Sequence, residues 1–413
     1  MNSPSAPSLL SLWVFIWLAV LIGFVQAETN VVTLLLDGGE SAWQRLGDET
    51  IPPEEDLATF VDLADKLVRW IPRSFWKEHA IDSISRGGDP HMGDVVHLEG
   101  IVTFAAKLDG IYRCTMALNN GSTADIFLTH VPQAWQLDVS IQERATAFGV
   151  YVKTSPLPLG EETMKKSGVP VFVAPAIQWF PDTWLGNLGF DVGSFDQVPV
   201  SRVTEVEQND EETNYRAFKF TDSDVEPFYG LLRTVSAASD GLLEEEAKKL
   251  PIEVADLFNR PSETWGKPVL LSGTAKRIIP TPVLDSEIPS LFGIDHYYQI
   301  YLFTEQSRGN PIVVCVGSLP EGMPVGDSAD FFESITVAAV PYKLWIYDTP
   351  QGQHYAPILV GRSPTWHPNL VVKHQPPKSV TSLSFAAFCT LVAIWVACRF
   401  WARRYTTYTV QHQ

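Results

Sequence analysis

Apolar residues are patterned in two ways along this chain. Near the ends they form long, mostly apolar runs, over 9–25 and 380–398. In between they recur at two periods. Alternation at period two predicts strands over 95–106, 111–118, 124–130, 143–153 and 169–178, and again over 268–276, 297–304, 311–316, 333–347 and 355–361. A helical period precedes each set. Leu57, Phe60, Val61, Ala64, Leu67 and Val68 share one face, as do Phe228, Leu231, Leu232 and Val235. The second of these helices follows Ser223-Asp224-Val225-Glu226, which has the spacing of a capping box. Residues 242–250 predict a further short helix, with Glu244/Lys248 and Glu245/Lys249 four apart. Residues 30–36 predict a short strand, 186–195 a glycine-punctuated loop and 205–212 a solvated acidic linker.

The two strand sets are copies of one plan. The block from Pro170 to Pro181 aligns without a gap with the block from Pro357 to Pro368, sharing both end prolines, Val173 with Val360, and Trp179 with Trp366. Gly273 answers Gly100, Asp295 and Tyr298 answer Asp109 and Tyr112, and Glu333, Thr336 and Lys343 answer Glu143, Thr146 and Lys153. A proline-bearing loop inserted over 280–292 in the second copy, together with the spacer between helix and barrel, accounts for most of the difference in spacing. The unit is a helical lead-in followed by five strands, the first of them long with a glycine near its middle. That order suits a small Greek-key barrel of the oligonucleotide/oligosaccharide-binding (OB) type, with an SH3-like barrel or a small sandwich as the competitor.

The expected fold class is therefore mainly β with short helices (α+β): two tandem five-stranded OB-like barrels, each preceded by a helical segment. The expected boundaries are a signal peptide at 1–27, a helical lead-in at 28–93 and a first barrel at 94–200. An acidic linker with a second lead-in follows at 201–263, then a second barrel at 264–369 and a linker at 370–379. A transmembrane helix at 380–398 and a cytoplasmic tail at 399–413 complete the chain.

The two ends set the expected location. The first apolar run ends in Val25-Gln26-Ala27, a small-residue cleavage pattern, and 1–8 holds no Lys or Arg. This reads as an export signal, cleaved after Ala27 or retained as an anchor. The run at 380–398 is long enough to cross a bilayer, and Arg399, Arg403 and Arg404 follow among Phe400, Trp401 and Tyr405. Basic residues favour the cytoplasmic side and aromatic rings the interface. A single-pass protein with its mass in the periplasm and a short tail inside is expected. Its net charge is −18, and the basic tail leaves −21 on the rest, which disfavours a nucleic-acid partner. Of four cysteines only Cys114 and Cys315 lie in the body. They occupy non-equivalent places, so they read as small buried hydrophobes, with one bridge between the copies left open.

The second half resembles a group of uncharacterised planctomycete-type exported proteins that carry a signal peptide, a barrel-like exported region and a C-terminal membrane span. The likeness rests on Gly266-Lys267-Pro268-Val269 with Ser272-Gly273, on Tyr297-Tyr298-Gln299-Ile300-Tyr301-Leu302, and on Pro311-Ile312-Val313-Val314 leading to Leu319-Pro320-Glu321-Gly322-Met323-Pro324. Ala356-Pro357-Ile358-Leu359, leading to Trp366, completes it. The group has no established activity, so the resemblance implies architecture and location and transfers no catalytic residue.

No phosphate-cradling loop, nucleophile elbow or zinc-helix motif occurs, and neither a metal nor a cofactor is expected. His91, His97, His354 and His367 lack the spacing of a ligand set, and Asp327 and Asp330 lie in a loop of Gly, Pro and Ser. Trp179 and Trp366 are expected to close the base of each barrel. The feature above background is a row of aromatic residues. Alternation places Tyr297, Gln299, Tyr301 and Phe303 on one side of a strand and Tyr298, Ile300 and Leu302 on the other. The second set matches Tyr112, Cys114 and Met116 and suits a core. The first replaces Ile111, Arg113, Thr115 and Ala117, so these rings are peculiar to the second copy. Tyr297, Tyr301 and Phe303 are the candidate ligand platform, unless the lead-in helix or the other barrel covers them. The expected function is non-enzymatic: an envelope scaffold contacting other envelope proteins and held in the lipid bilayer by 380–398. A module for an envelope glycan or small ligand is the alternative.

Overall fold

The computed structural model describes residues 40–71, 75–76, 80–82, 90–155, 168–198, 220–349 and 352–368. The signal peptide, the strand expected over 30–36, the acidic run and the C-terminal span lie outside the described residues. Among the described residues no helix is long and apolar enough to cross a membrane.

The fold is mainly β, with two sheets and short helices laid against them. The first sheet holds β1 (Ile81–Asp82), β2 (Val95–Lys107), β3 (Tyr112–Leu118), β4 (Thr123–Leu128), β5 (Val139–Ser155), β6 (Val169–Val173) and β7 (Ile177–Trp179). The second holds β8 (Val269–Pro282), β9 (His296–Phe303), β10 (Ile312–Val316), β11 (Glu333–Thr349), β12 (Gly352–Gly361) and β13 (Thr365–His367). The helices are α1 (Glu40–Leu46), α2 (Leu57–Trp70), α3 (Trp184–Asn187), α4 (Asp222–Ala237), α5 (Leu242–Lys249), α6 (Val254–Asn259) and α7 (Glu287–Phe292).

Each sheet closes on itself. Pairing runs β2–β3–β4–β6–β5 and returns from β5 to β2; the second copy runs β8–β9–β10–β12–β11 and returns to β8. In both, the pairing of the third strand with the fifth is parallel and the others are antiparallel. Closure bends the long first strand sharply, and the matched glycines permit it. A Cβ on Gly100 would stand 2.1 Å from the Ala117 carbonyl oxygen, and one on Gly273 would stand 2.4 Å from that of Phe303. A register shift follows each glycine, between Val102 and Phe104 and between Ala275 and Arg277. The last strand of each copy is tied by its tryptophan. Trp179 Nε1–H donates to Glu143 at 2.7 Å, and Trp366 Nε1–H donates to Glu333 at 2.7 Å.

Every copy has two cores, one inside the ring and one outside it. Val96, Leu98, Met116, Ile126 and Phe172 fill the first ring; Leu271, Ile278, Ile300, Leu302 and Val314 fill the second. Outside, α2 lays Phe60, Leu63, Ala64 and Leu67 on Phe127, Val171 and Val173. Helix α4 lays Phe228, Leu231, Leu232 and Val235 on Val313, Ile358 and Val360. Strand β10 is consequently buried along its whole length, and its unbroken apolar run Ile312-Val313-Val314-Cys315-Val316 follows from facing a core on both sides.

The helix in each copy is pinned by a buried ion pair. Lys153 Nζ lies 2.7 Å from Asp56 at the N-cap of α2 and donates to the Ile51 carbonyl at 2.8 Å. Lys343 Nζ lies 2.8 Å from Asp224 in the first turn of α4, whose carboxylate also accepts from the Tyr342 hydroxyl at 2.9 Å. All four charged side chains are at most 1% exposed. Each lysine follows a register shift, between Tyr151 and Lys153 and between Pro341 and Lys343. That shift lets the chain turn two consecutive residues towards the helix.

Three expectations need correction. The capping box of α4 lies two residues earlier than its spacing suggested: Thr221 is the N-cap, and its amide donates to Asp224 at 2.8 Å. The insertion over 280–292 is not all loop, since β8 continues to Pro282 and α7 follows. The segment over 186–195, expected as a loop, holds the end of α3 and most of a 3-10 turn, Val192–Gln197. Thr183 and Asp191 cap these turns through side-chain oxygens, and elements so short carry no periodic signal.

This segment also joins the two copies. Leu185, Phe190, Phe195 and Val198 belong to the core beneath α4. Phe195 stacks on Trp265 at 5.5 Å, and Trp184 Nε1–H donates to the Gly266 carbonyl at 2.8 Å. Towards the first ring, Arg144 donates to the Gly186 carbonyl at 2.7 Å. Asp191 accepts from the amides of Trp179 at 2.8 Å and Gly193 at 3.0 Å. Burial pushes the Asp191 carboxyl up to about 7, with the negative Glu226 adding to the rise and the amide donors opposing it.

Removing one partner of a buried pair strands the other charge. Lys153→Met and Lys343→Met should each lower stability by about 3–5 kcal/mol in denaturant unfolding, and replacing both partners of a pair should cost much less. The junction carries a pH signature. A carboxyl raised on folding holds a proton that the unfolded chain has lost, so its contribution declines as pH rises from about 4 to about 7. Asp191→Asn keeps the acceptor oxygen and removes the charge. Its melting temperature should match the parent's at or below about pH 4 and exceed it at pH 8, by an amount equivalent to roughly 3–4 kcal/mol.

Candidate functional site

Strand β9 alternates as its pattern requires. Ile300 and Leu302 are fully buried inside the ring, while Tyr297, Gln299, Tyr301 and Phe303 point out and are partly buried. The outward row is not uniformly open. Tyr297 meets Phe228 edge-on at 5.5 Å and Tyr229 at 6.4 Å, both on α4. Tyr297 and Tyr301 pack against the core beneath that helix. Burial raises both phenols above the ordinary tyrosine range, and the guanidinium of Arg277 opposes the rise at Tyr301. Gln299 Nε2 donates to the Tyr297 hydroxyl at 3.2 Å.

The remainder of the row is overlaid by cations. The register shift in β8 turns Lys276 and Arg277 out together, and both are exposed. Lys276 Nζ stands 4.5 Å from the centroid of Phe303, and the Arg277 guanidinium 5.1 Å from that of Tyr301. Such contacts contribute about 0.5–1 kcal/mol each at exposed sites. Each of these two rings therefore carries a cation over it, and this edge of the second ring offers positive charge beside its aromatic surface. The first copy has Thr103 and Phe104 at the same shift, and Thr115 and Ala117 in place of the rings. The structure brings together Tyr297, Tyr301 and Phe303 along one strand but divides them between a helix-covered end and a cation-covered end. Lys276 and Arg277 escaped sequence reasoning; a dibasic pair within a strand of an acidic chain was the available signal.

The remaining candidates are dispersed. His97 stacks on Phe148 at 4.8 Å, His91 is exposed beside Asp94, and His367 lies 3.0 Å from the Thr336 hydroxyl. Among the described residues no group of three or more His, Cys, Asp or Glu stands where it could hold a metal ion. Asp327 and Asp330 are exposed. Trp179 and Trp366 are partly buried and clamp their strands through the indole bonds to Glu143 and Glu333. Cys114 and Cys315 are both buried and free, and burial pushes each thiol up to about 12. A cleft of about 640 Å³ opens between α6 and the β9–β10 turn, lined by Glu253, Phe258, Asn259, Gln306 and Arg308. Arg308 holds a left-handed backbone, with φ 51°.

No family model and no curated protein matches the sequence. Among solved structures, a putative aspartyl-tRNA synthetase from Leishmania major Friedlin aligns with 54% of this chain and 47% of its own, at 8% identity and a TM-score of 0.19. The chain thus spans about half the length of that protein, and a likeness of this size carries no argument about fold or function.

The covered position of Tyr301 makes its role in packing measurable. Tyr301→Ala should lower stability by about 2–3 kcal/mol in denaturant unfolding, through lost contact beneath α4 and a lost seat for Arg277.

Proposed function

We propose that this is a non-enzymatic, membrane-anchored exported protein whose two OB-like barrels act together as a scaffold for other envelope proteins. The barrel assignment is supported by closure of each ring, its strand order, the parallel closing pair and the mid-strand glycine with its register shift. The observation that carries the scaffold reading is the junction. The segment after β7 leaves the first ring and supplies Leu185, Phe190, Phe195 and Val198 to the core of the second copy, and both rings fall within one compact unit ending at His367. Two modules sharing a core hold their outer surfaces at a constant separation, which suits a protein that positions partners. The anchor is the apolar run at 380–398 and the export signal is 1–27, both read from sequence.

The test is a crosslinking pull-down of the full-length protein from its native membrane, with Phe195→Ala beside it. Discrete protein partners are expected in the detergent-solubilised fraction, with recovery reduced when the junction is loosened. Recovery from the soluble fraction without detergent, or a pull-down that yields glycan and no protein, would overturn the proposal.

A further inference from the structure

One outer face of the second ring carries a regular array of hydrogen-bonding side chains, five hydroxyls and an imidazole. On β8, β11 and β13 the register aligns Ser272 with Thr336 and Thr365, and Thr274 with Ser334 and His367. Paired residues in antiparallel strands share a face, so these six side chains form a grid of three strands by two rows. Its spacing is about 4.8 Å across strands and about 7 Å along them. Leu271, Ala275, Ile335 and Val337, the alternating neighbours, point into the ring. The six are partly or fully exposed, and β13 forms the margin of the sheet. Thr336 lies 3.0 Å from both the Ser272 hydroxyl and His367 Nε2. Thr274, Ser334 and Thr365 form no side-chain hydrogen bond among the described residues, leaving their hydroxyls to donate and accept outward.

One border completes the face. Phe303 pairs with Thr274, so the grid runs directly into the ring beneath Lys276, with Arg277 beyond it. Neither cation forms an ion pair among the described residues, although the chain carries a net charge of −18. Just before the start of β11, next to the same border, Phe332 is 48% exposed. The first copy lacks this surface. The matching positions are Glu99, Thr146 and Gln178 in one row and Ile101 with Arg144 in the other, and Arg144 is held by the Gly186 carbonyl.

We propose that this grid, bordered by Lys276 and Arg277, binds an acidic saccharide chain. Hydroxyls that both donate and accept match the hydroxyls of a sugar, and a β-sheet holds them in place so that little side-chain freedom is lost on binding. The unpaired cations are the complement of a sugar carboxylate, and an exposed phenylalanine suits the apolar face of a pyranose. A peptide of acidic residues would satisfy the cations but leave the grid unmatched. A neutral glucan would satisfy the grid but leave the cations unmatched. This surface is separate from the helix-covered end of the aromatic row, and the proposal does not depend on the scaffold reading.

Calorimetric titration of the purified full-length chain tests it, with oligogalacturonate as the probe and dextran and poly-glutamate as controls. Oligogalacturonate should bind more tightly than either control. Thr274→Val with Thr365→Val removes two outward hydroxyls without changing side-chain shape, and should weaken binding about fivefold or more. Lys276→Gln should weaken it and flatten its salt dependence. Unchanged melting curves would show that these variants are folded. Equal affinity for poly-glutamate or for dextran would overturn the proposal, as would indifference to the hydroxyl variants or no binding to any probe. A Thr365→Val variant that altered only the self-association of the chain would overturn it in favour of contact between copies along β13.

Discussion

A lysine and an aspartate, buried together where a helix meets a closed ring of strands, hold each half of this molecule in shape. Lys153 with Asp56 and Lys343 with Asp224 have almost no contact with solvent. Taking such charges out of water is costly, and the cost is offset only when the geometry is satisfied on both sides. Here it is. The lysines meet carboxylates, with backbone carbonyls added in the first copy, and the aspartates sit at helix N-termini, where the helix dipole favours negative charge. The consequence is directional. An apolar helix could slide over an apolar sheet at little cost, whereas a buried ion pair admits one register. The repeated shift before each lysine brings the ammonium to the helix side, so strand irregularity and helix position are one device.

The duplication was used differently in its two halves. Ring closure, the mid-strand glycines, the tryptophan–glutamate clamps and the buried pairs are kept in both copies, and all of them maintain shape. The outward faces diverge. Thr115 and Asp125 in the first copy bind one another at 2.8 Å beneath Arg113, which also pairs with Asp125 at 2.6 Å; the second copy has Tyr301 and Val313 there, packed under α4. On a separate face, Arg144 of the first copy is engaged by the junction, and the matching position in the second copy, Ser334, belongs to the hydroxyl-rich grid. Residues that close a ring are constrained by sterics and burial, while residues outside it answer to whatever covers them.

The junction illustrates how two rings become one body. Its helical turns are short, and their stability comes from burial of Leu185, Phe190 and Phe195 in a core assembled mostly from the other copy. A carboxylate at its centre, Asp191, binds backbone amides of its own segment and of β7. Burial there sets a proton equilibrium near neutrality, so the strength of the junction responds to pH over the range in which most exposed carboxylates are silent.

By itself the sequence determined the strands and the lead-in helices, because burial on one or two faces imposes a period on apolar residues. It determined the duplication too, because rare residues such as Trp179 and Trp366 recur where both copies need the same clamp. It placed Ile300 and Leu302 inward, since alternation in a strand admits only two sides. The tertiary structure alone decided what lies over the outward side. Alternation left open whether Tyr297, Tyr301 and Phe303 are covered; in the fold Tyr297 and Tyr301 pack beneath α4 and Lys276 lies over the Phe303 ring. The partners of Lys153 and Lys343 were likewise beyond reach, since Asp56 and Asp224 lie about a hundred residues away and a charge carries no sign of its partner along the chain. Periodicity reports which side of an element is covered, whereas the identity of what covers it is a property of chain segments distant in sequence.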